Sequence, residues 1–256
     1  MLMPPTIPDT KITLLTKPSK LRIVIPGKNT LAQIYSFSLT AQETCPGATY
    51  KPNHKCKKCY AKKGSYSWAA VKNAQGIRTQ WTKQAHSGDL GKKLAWLNIM
   101  LEAIEWATIR RSILYFRIHD SGDFWTPAYV DSWIEIAKTF PSVKFWAPTS
   151  SHPENAHENV QEYLEKEMLP KLQEFAKLPN VILRPSSREI GFGQIIDVEG
   201  LSAGTGIIKK SDIYQFLDMI HNSNAEICPS STTDGNCQTC TSCWDMPDQN
   251  KYYVLH

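Results

Sequence analysis

The sequence predicts an α/β fold: a partial, TIM-like parallel (β/α) barrel with a cysteine-rich C-terminal appendage. Three observations predict it. Short apolar runs alternate with longer stretches of helical periodicity, the pattern of parallel strands joined by crossover helices. Polar runs come directly after the apolar ones, at the edge where parallel α/β folds bind ligands. The last stretch abandons this alternation and is rich in cysteine. The chain therefore divides into an arm (1–33), the barrel (34–224) and a cysteine-rich segment packed on the barrel (225–256).

The arm holds five prolines and two β-like runs, Ile12–Leu15 and Leu21–Ile25, which read as irregular structure or a small hairpin. Ile34–Leu39 alternates and is rich in β-formers, so it is the first main strand. Helical periodicity runs over 65–86 and more strongly over 89–111. There Leu90, Leu94, Leu97, Met100, Leu101 and Ile104 share one face. Ile113–His119 is a strand ending in the turn Asp120-Ser121-Gly122-Asp123. A helix over 127–139 opens on a proline, which suits a first helical turn. The strand Val143–Trp146 leads into Ala147–Ser151, and a helix over 154–177 is kinked at Pro170. A short strand, Val181–Leu183, precedes Arg184-Pro185-Ser186-Ser187. Ser202–Gly206 reads as a plain turn, and a last helix covers 212–221.

Composition narrows the function. With 41% apolar and 21% charged residues over 256 positions, the chain is globular and not disordered. It is long enough to bury a core without disulfides. It has no apolar run of about 18 residues to span a bilayer. Its start lacks the basic-then-apolar pattern of a secretory signal, which predicts a cytoplasmic protein. Seven cysteines there are not a disulfide scaffold. Charge is uneven. Residues 1–93 carry 16 of the 29 Lys and Arg but three of the 24 acids, a net +13 within a chain of +5. Lys51, Lys55, Lys57, Lys58, Lys62 and Lys63 crowd around one cysteine motif, with Tyr50, Tyr60, Tyr66 and Trp68 nearby. Such a patch attracts nucleic acid, or offsets the charge of a thiolate-bound metal, or is a solvated loop.

The cysteines carry the strongest signal. One group is Cys45-x10-Cys56-x2-Cys59; the other is Cys228-x8-Cys237-x2-Cys240-x2-Cys243. A C-x2-C pair aims two thiolates at one metal from a single turn, and the doubled C-x2-C-x2-C is more typical of an iron–sulfur cluster than of zinc. Four cysteines close a 4Fe–4S cluster, whereas three leave one iron open to chemistry. One cluster or two fit these counts. So does a structural zinc shared by Cys56, Cys59, Cys237 and Cys240. His54, between Cys45 and Cys56, is an additional candidate ligand.

Cys45-Pro46-Gly47, Cys56-Lys57-Lys58-Cys59-Tyr60-Ala61, the run Phe116 to Phe124 and Cys228-Pro229 together resemble a phage-encoded cysteine-rich family known as gene product eighty-eight. The same residues look like those of a distant relative of radical S-adenosylmethionine (SAM) enzymes. That resemblance implies a partial (β/α) barrel whose first loop holds a 4Fe–4S cluster on Cys45, Cys56 and Cys59. The open iron would take SAM and pass it one electron, releasing a 5′-deoxyadenosyl radical. It further implies that Ser121, Gly122 and Asp123 meet the SAM amino group, with Asp123 as acceptor. Thr149, Ser150, Arg184, Ser186 and Ser187 would meet its ribose and carboxylate. Cys228, Cys237, Cys240 and Cys243 would hold an auxiliary cluster. The chain departs from the usual pattern in three places: ten residues separate its first two cysteines, Lys58 replaces an aromatic, and its acidic turn is Ser-Gly-Asp.

His119 and Asp120 end a strand as a candidate acid/base pair, although strand neighbours normally face opposite ways. His152 and His157 read as surface residues, and Trp125, Trp133 and Trp146 as core. The sequence-based expectation is an iron–sulfur enzyme of radical-SAM-like type. The alternatives are an iron–sulfur protein without SAM, serving electron transfer or nucleic-acid binding, and a zinc-stapled nucleic-acid-binding protein.

Overall fold

The computed structural model describes residues 4–18, 21–24, 31–48, 54–154, 156–214, 217, 220, 224–233 and 236–255. Ile25, Tyr50, Lys51 and much of the helix expected over 212–221 lie outside them.

The arm holds a hairpin, but not of the two expected runs: β1 (Arg22–Val24), within the second run, pairs antiparallel with β2 (Leu31–Gln33), while Ile12–Leu15 forms no strand. The other strands are β3 (Tyr35–Phe37), β4 (Tyr115–His119), β5 (Lys144–Thr149), β6 (Val181–Ile190), β7 (Thr205–Lys209), β8 (Ala225–Ile227) and β9 (Asn250–Leu255). They form one parallel sheet of seven strands, in the order β3-β4-β5-β6-β7-β9-β8. Among the described residues no ladder joins β3 to β8, so the sheet has two edges.

Helices α1 (Ala69–Ala85) and α2 (Leu90–Ala107) connect β3 to β4, and α3 (Pro127–Thr139) connects β4 to β5. Local chemistry sets their starts. The Asp89 carboxylate accepts from Lys92 N at 3.1 Å, and Thr126 Oγ1 accepts from Tyr129 N just ahead of Pro127. Between β5 and β6, α4 (Glu158–Tyr163) runs through a π turn (Leu164–Met168) into α5 (Leu169–Ala176). The π turn sits just before Pro170, which has no N–H for the helical ladder. The irregularity expected at that proline therefore takes the form of a widened turn.

Alternation along the strands divides the sheet into two faces. Phe37, Phe116, Ile118, Phe145, Ala147 and Leu183 point to the helices and make the main core with Trp96, Met100, Trp133 and Phe175. Ile34, Trp146 and Ile182 point the other way. There they meet Leu21 and Ile23 of the arm and Trp244. Trp244 lies on α6 (Ser242–Asp245) and donates its indole N–H to Phe116 O at 3.0 Å.

Three expectations are corrected. The apolar face of α2 is only in part the predicted stripe: Leu90 is 68% and Leu94 49% exposed, whereas Leu97 and Leu101 pack against the core and Met100 and Ile104 lie within it. The buried face is Trp96, Met100, Ala103, Ile104 and Ala107, because Trp96 fills the space between Phe37, Tyr129 and Trp133. Arg184 to Ser187 do not follow a short strand but continue β6, since their polar side chains find partners within the sheet. The C-terminal segment is more than an appendage packed on the sheet: besides packing Trp244 on its second face, it supplies β8 and β9, with β9 in register with β7 over five residues. Among the described residues no helix is long and apolar enough to cross a membrane.

Candidate functional site

The first cysteine group lies in the loop that leaves β3 at the C-terminal edge of the sheet. Gln42, held at φ 72°, donates its backbone N–H to Cys45 Sγ at 3.4 Å and its side-chain amide to Cys56 O at 3.1 Å. His54 Nδ1 accepts from Cys56 N at 3.2 Å and starts the short 3-10 turn Lys55–Lys58. Histidine thus caps the turn that carries Cys56. Burial pushes the Cys45 thiol well above the ordinary thiol range, and the charges of Asp123, Cys56 and Cys59 act in the same direction. Burial also raises Cys59, again with Cys56 adding to it. The three thiols are therefore close enough to act on one another, and Lys55 and Lys62 act on Cys59 in the opposite direction.

Asp123 stands beside them. Its Oδ1 accepts from Thr149 Oγ1 and from its neighbour Phe124 N, and its Oδ2 accepts from Ser150 N, all within 2.8 Å. The loops after β4 and β5 are thereby locked together, and three of the expected site residues meet. Burial raises the Asp123 pKa against these hydrogen bonds. Ser121 serves a neighbouring role: its Oγ donates to Leu39 O at 2.8 Å and ties the turn to the end of β3. Gly122 has φ +84°, and a Cβ there would come within 2.6 Å of Thr44 Oγ1. Glycine is required at that crossing.

Three further residues complete the surroundings: Arg188, which sequence reasoning did not single out, Lys55, which it placed among the loop lysines, and His152, which it read as a surface residue. Arg188, fully buried near the end of β6, donates to Gly47 O at 3.0 Å, Ser150 O at 2.7 Å and His152 O at 2.6 Å. Lys55 turns inward from the lysine-rich loop, and burial lowers its pKa to about 8 against the pull of Cys56 and Asp123. His152 is not a surface residue. It is fully buried with Nε2 on Ser186 O, and burial beside Arg188 and Lys55 lowers its pKa to about 3. His157 is exposed, as expected, and caps α4. Only Gly47 in the Cys45-Pro46-Gly47 run hinted at this packing, since a Cβ there would lie 2.0 Å from Ser150 O.

Other expected residues are placed elsewhere. His119 is not at the cysteine loop. It faces the helices, with Nε2 3.0 Å from Tyr129 OH and its ring against Phe124 and Trp133. Burial lowers its pKa to about 3, so it is a neutral core histidine. Asp120 faces the opposite side, paired with Arg117 at 3.0 Å and with the Tyr66 hydroxyl. Arg184 is committed to carbonyls: Ala203 at 3.0 Å, Gln249 at 2.7 Å, Met246 at 2.5 Å and Ser242 at 3.3 Å. It fastens β6 to the C-terminal segment and has no fork left for a ligand. Ser186 bonds Thr205 and Ser187 bonds Glu189 O.

The second cysteine group gathers on the other sheet face. The thiols of Cys243, Cys228 and Cys240 all act on Cys237, whose pKa burial raises to about 12. Burial raises Cys243 to about 11, and its Sγ lies 3.4 Å from Tyr253 OH. The thiols that act on Cys45 and Cys59 belong to the first group, and those that act on Cys237 and Cys243 belong to the second. Among the described residues no three His, Cys, Asp or Glu side chains are grouped as a single metal ion requires.

A cleft of about 450 Å³ opens next to Cys45, lined by Gln42, Glu43, Lys83, His86 and Trp125. The Glu43–Lys83 ion pair, 2.7 Å long, crosses it. Trp125 is thus a half-buried cleft wall, whereas Trp133 and Trp146 are core. Lys57, Lys58, Lys62 and Lys63 remain exposed around the loop, together with Trp68 at 66%.

A family model described as Gene product 88 matches residues 11–246. The Gene 88 protein of Mycobacterium phage D29 is 31% identical over 106 residues, and that of Mycobacterium phage L5 is 33% identical over 107. Each match covers 41% of this chain and 42% of the relative, so the aligned part spans less than half the length of these curated relatives. No solved structure matches the chain.

Proposed function

The chain belongs to the gene product 88 family, and we propose that it is an iron–sulfur protein of radical-SAM-like type. The observation that carries this reading is the convergence of Cys45, Cys56 and Cys59 with Asp123 at the C-terminal edge of a parallel sheet. Strands β3 to β7 lie side by side in chain order, which is how a (β/α) barrel winds and a doubly wound sheet does not. On this reading the sheet is an open barrel.

The donor sets fit clusters. Thiols with a raised pKa, as at Cys45, Cys59, Cys237 and Cys243, are poor nucleophiles, but a bound metal deprotonates them outright. A cubane spreads its thiolates over separate irons, so it needs a wider arrangement than one zinc ion. Cys45, Cys56 and Cys59 would hold a 4Fe–4S cluster with one open iron; Cys228, Cys237, Cys240 and Cys243 would hold a complete one. The first cluster, when bound, supplies one-electron reductive cleavage of SAM. The chain's own residues do the rest. Gln42 orients two of the ligands, Asp123 presents a fixed carboxylate to an amine, and Lys55 and Arg188 set a positive field for a carboxylate. The substrate would enter by the cleft at Cys45.

Anaerobic purification with iron, sulfide and zinc counted per chain tests this, with visible spectra taken with and without SAM. About eight irons in two clusters and a spectral change on adding SAM support it. Zinc without colour overturns it. A second reading, nucleic-acid binding, rests on the exposed lysines and Trp68 around the first loop.

A further inference from the structure

Arg117 lies on the sheet face opposite the helices, between the two cysteine groups. Its Nη2 donates to Tyr60 OH at 3.1 Å, and Tyr60 follows Cys59 directly. Its guanidinium lies over the Trp146 ring, 4.8 Å from the centroid. Trp146 meets Trp244 edge-on at 5.3 Å, and Trp244 follows Cys243 directly. Cys237, Cys243 and Tyr253 pack against this same aromatic group. A chain of van der Waals and hydrogen-bond contacts therefore runs Cys59–Tyr60–Arg117–Trp146–Trp244–Cys243.

Pairing with Asp120 does not account for this arrangement. That contact uses Nη1 alone. Nε is spent on His119 O at 2.7 Å, which fixes the guanidinium plane. The remaining nitrogen and the flat face then reach one cysteine group each. Lysine could neutralise Asp120, but it has neither the fork nor the stacking surface.

We infer that Arg117 and Trp146 couple the two cysteine groups electronically, so that clusters bound there would exchange an electron; this rests on the two-cluster reading above. One cluster would be oxidised by one equivalent as the other is reduced by one, and an external low-potential one-electron donor would restore the first.

The test uses the anaerobically reconstituted full chain and the variants Arg117→Lys and Trp146→Leu, with iron and sulfide counted in each. Substoichiometric dithionite is mixed in rapidly, and freeze-quench EPR follows how the electron divides between the centres. In the unaltered protein the division reaches its final ratio in a single phase. In variants that keep both clusters, that single phase is lost and a slower redistribution follows. An unchanged single phase in both variants overturns the relay. Fewer than two clusters in the unaltered protein overturns the reading beneath it, which is a separate failure. Arg117→Lys keeps the charge opposite Asp120, so it remains informative if Trp146→Leu folds poorly.

Discussion

Gln42 donates its backbone N–H to the sulfur of Cys45 while its side-chain amide holds Cys56 O, so one residue fixes two members of the first cysteine group. Its φ of 72° aims both groups at the loop. Gln42→Ala keeps the N–H···S contact and loses the bond to Cys56. Urea unfolding is expected to show a loss of about 1 kcal/mol, the net worth of one hydrogen bond. If the proposed clusters are loaded, iron release to a chelator should quicken at the N-terminal one alone. Unchanged release would remove Gln42 from the ligand scaffold.

Gly122 is the crossing point of the β4 turn over Thr44 and Leu39. A Cβ there meets Thr44 Oγ1 at 2.6 Å and Leu39 Cβ at 2.8 Å, on a backbone already at φ +84°. Gly122→Ala should destabilise by roughly 2 to 4 kcal/mol through strain and overpacking. Gly76 supplies the opposite control. It lies inside α1 with nothing within 4 Å of its added Cβ. Gly76→Ala should stabilise by about 1 kcal/mol. Equal effects at both positions would show that the turn yields.

Where the sequence could be read, the determinants were local. Pro127 announces α3 because a proline acts within the first helical turn. The cysteine groups are legible because ligand spacing is local too. Arg188 and His152 were not legible. Their role comes from a fold that brings β6 against Gly47 and the β5 loop, and no periodicity encodes that contact. Strand β9 was missed because it lies among cysteines and polar turns and gains its stability from pairing with β7. His119 looked like a catalytic group because a histidine ending a strand is common to sites and cores. Only its contacts with Tyr129 and Trp133 separate the two.

Arg184 distinguishes a structural tie from a ligand contact. Its guanidinium spans four carbonyls, three of them in residues 242–249. Arg184→Met leaves those acceptors without their donor, at a cost of roughly 3 kcal/mol or more. Hydrogen exchange should rise through β9 and around Trp244 while the β3–β4 region stays protected. Intact stability with weakened SAM binding would mean instead that Arg184 serves the ligand.

His119 and His152 make stability pH-dependent. Both have pKa values lowered to about 3 by burial, against an ordinary value of 6.5. A depressed folded pKa gives stability that is present above the unfolded value and lost as pH falls. Between about pH 6 and 3 these two histidines together take up to two more protons in the unfolded chain than in the folded one. Stability should then drop by about 1.4 kcal/mol per pH unit for each histidine. His119→Gln should flatten the slope by one such increment in urea titrations over this range. An unaltered slope would place a proton on His119 in the folded protein.

Lys57, Lys58 and Lys62 point to solvent around the first cysteine loop, and Lys62 spends one hydrogen bond on Gln42 at 2.5 Å. If this loop contacts phosphates, binding to a single-stranded oligonucleotide must weaken steeply with salt, because each contact releases a counterion. Replacing the three lysines with alanine should reduce the log–log salt slope by roughly one unit per lysine. Trp68→Ala should weaken binding by about 1 to 3 kcal/mol without moving that slope, since stacking releases no ions. A flat salt dependence in the unaltered protein would leave the lysines as a solvated surface. Lys55, which turns inward, and Lys62, whose charge also acts on Cys59, would then serve the cysteines.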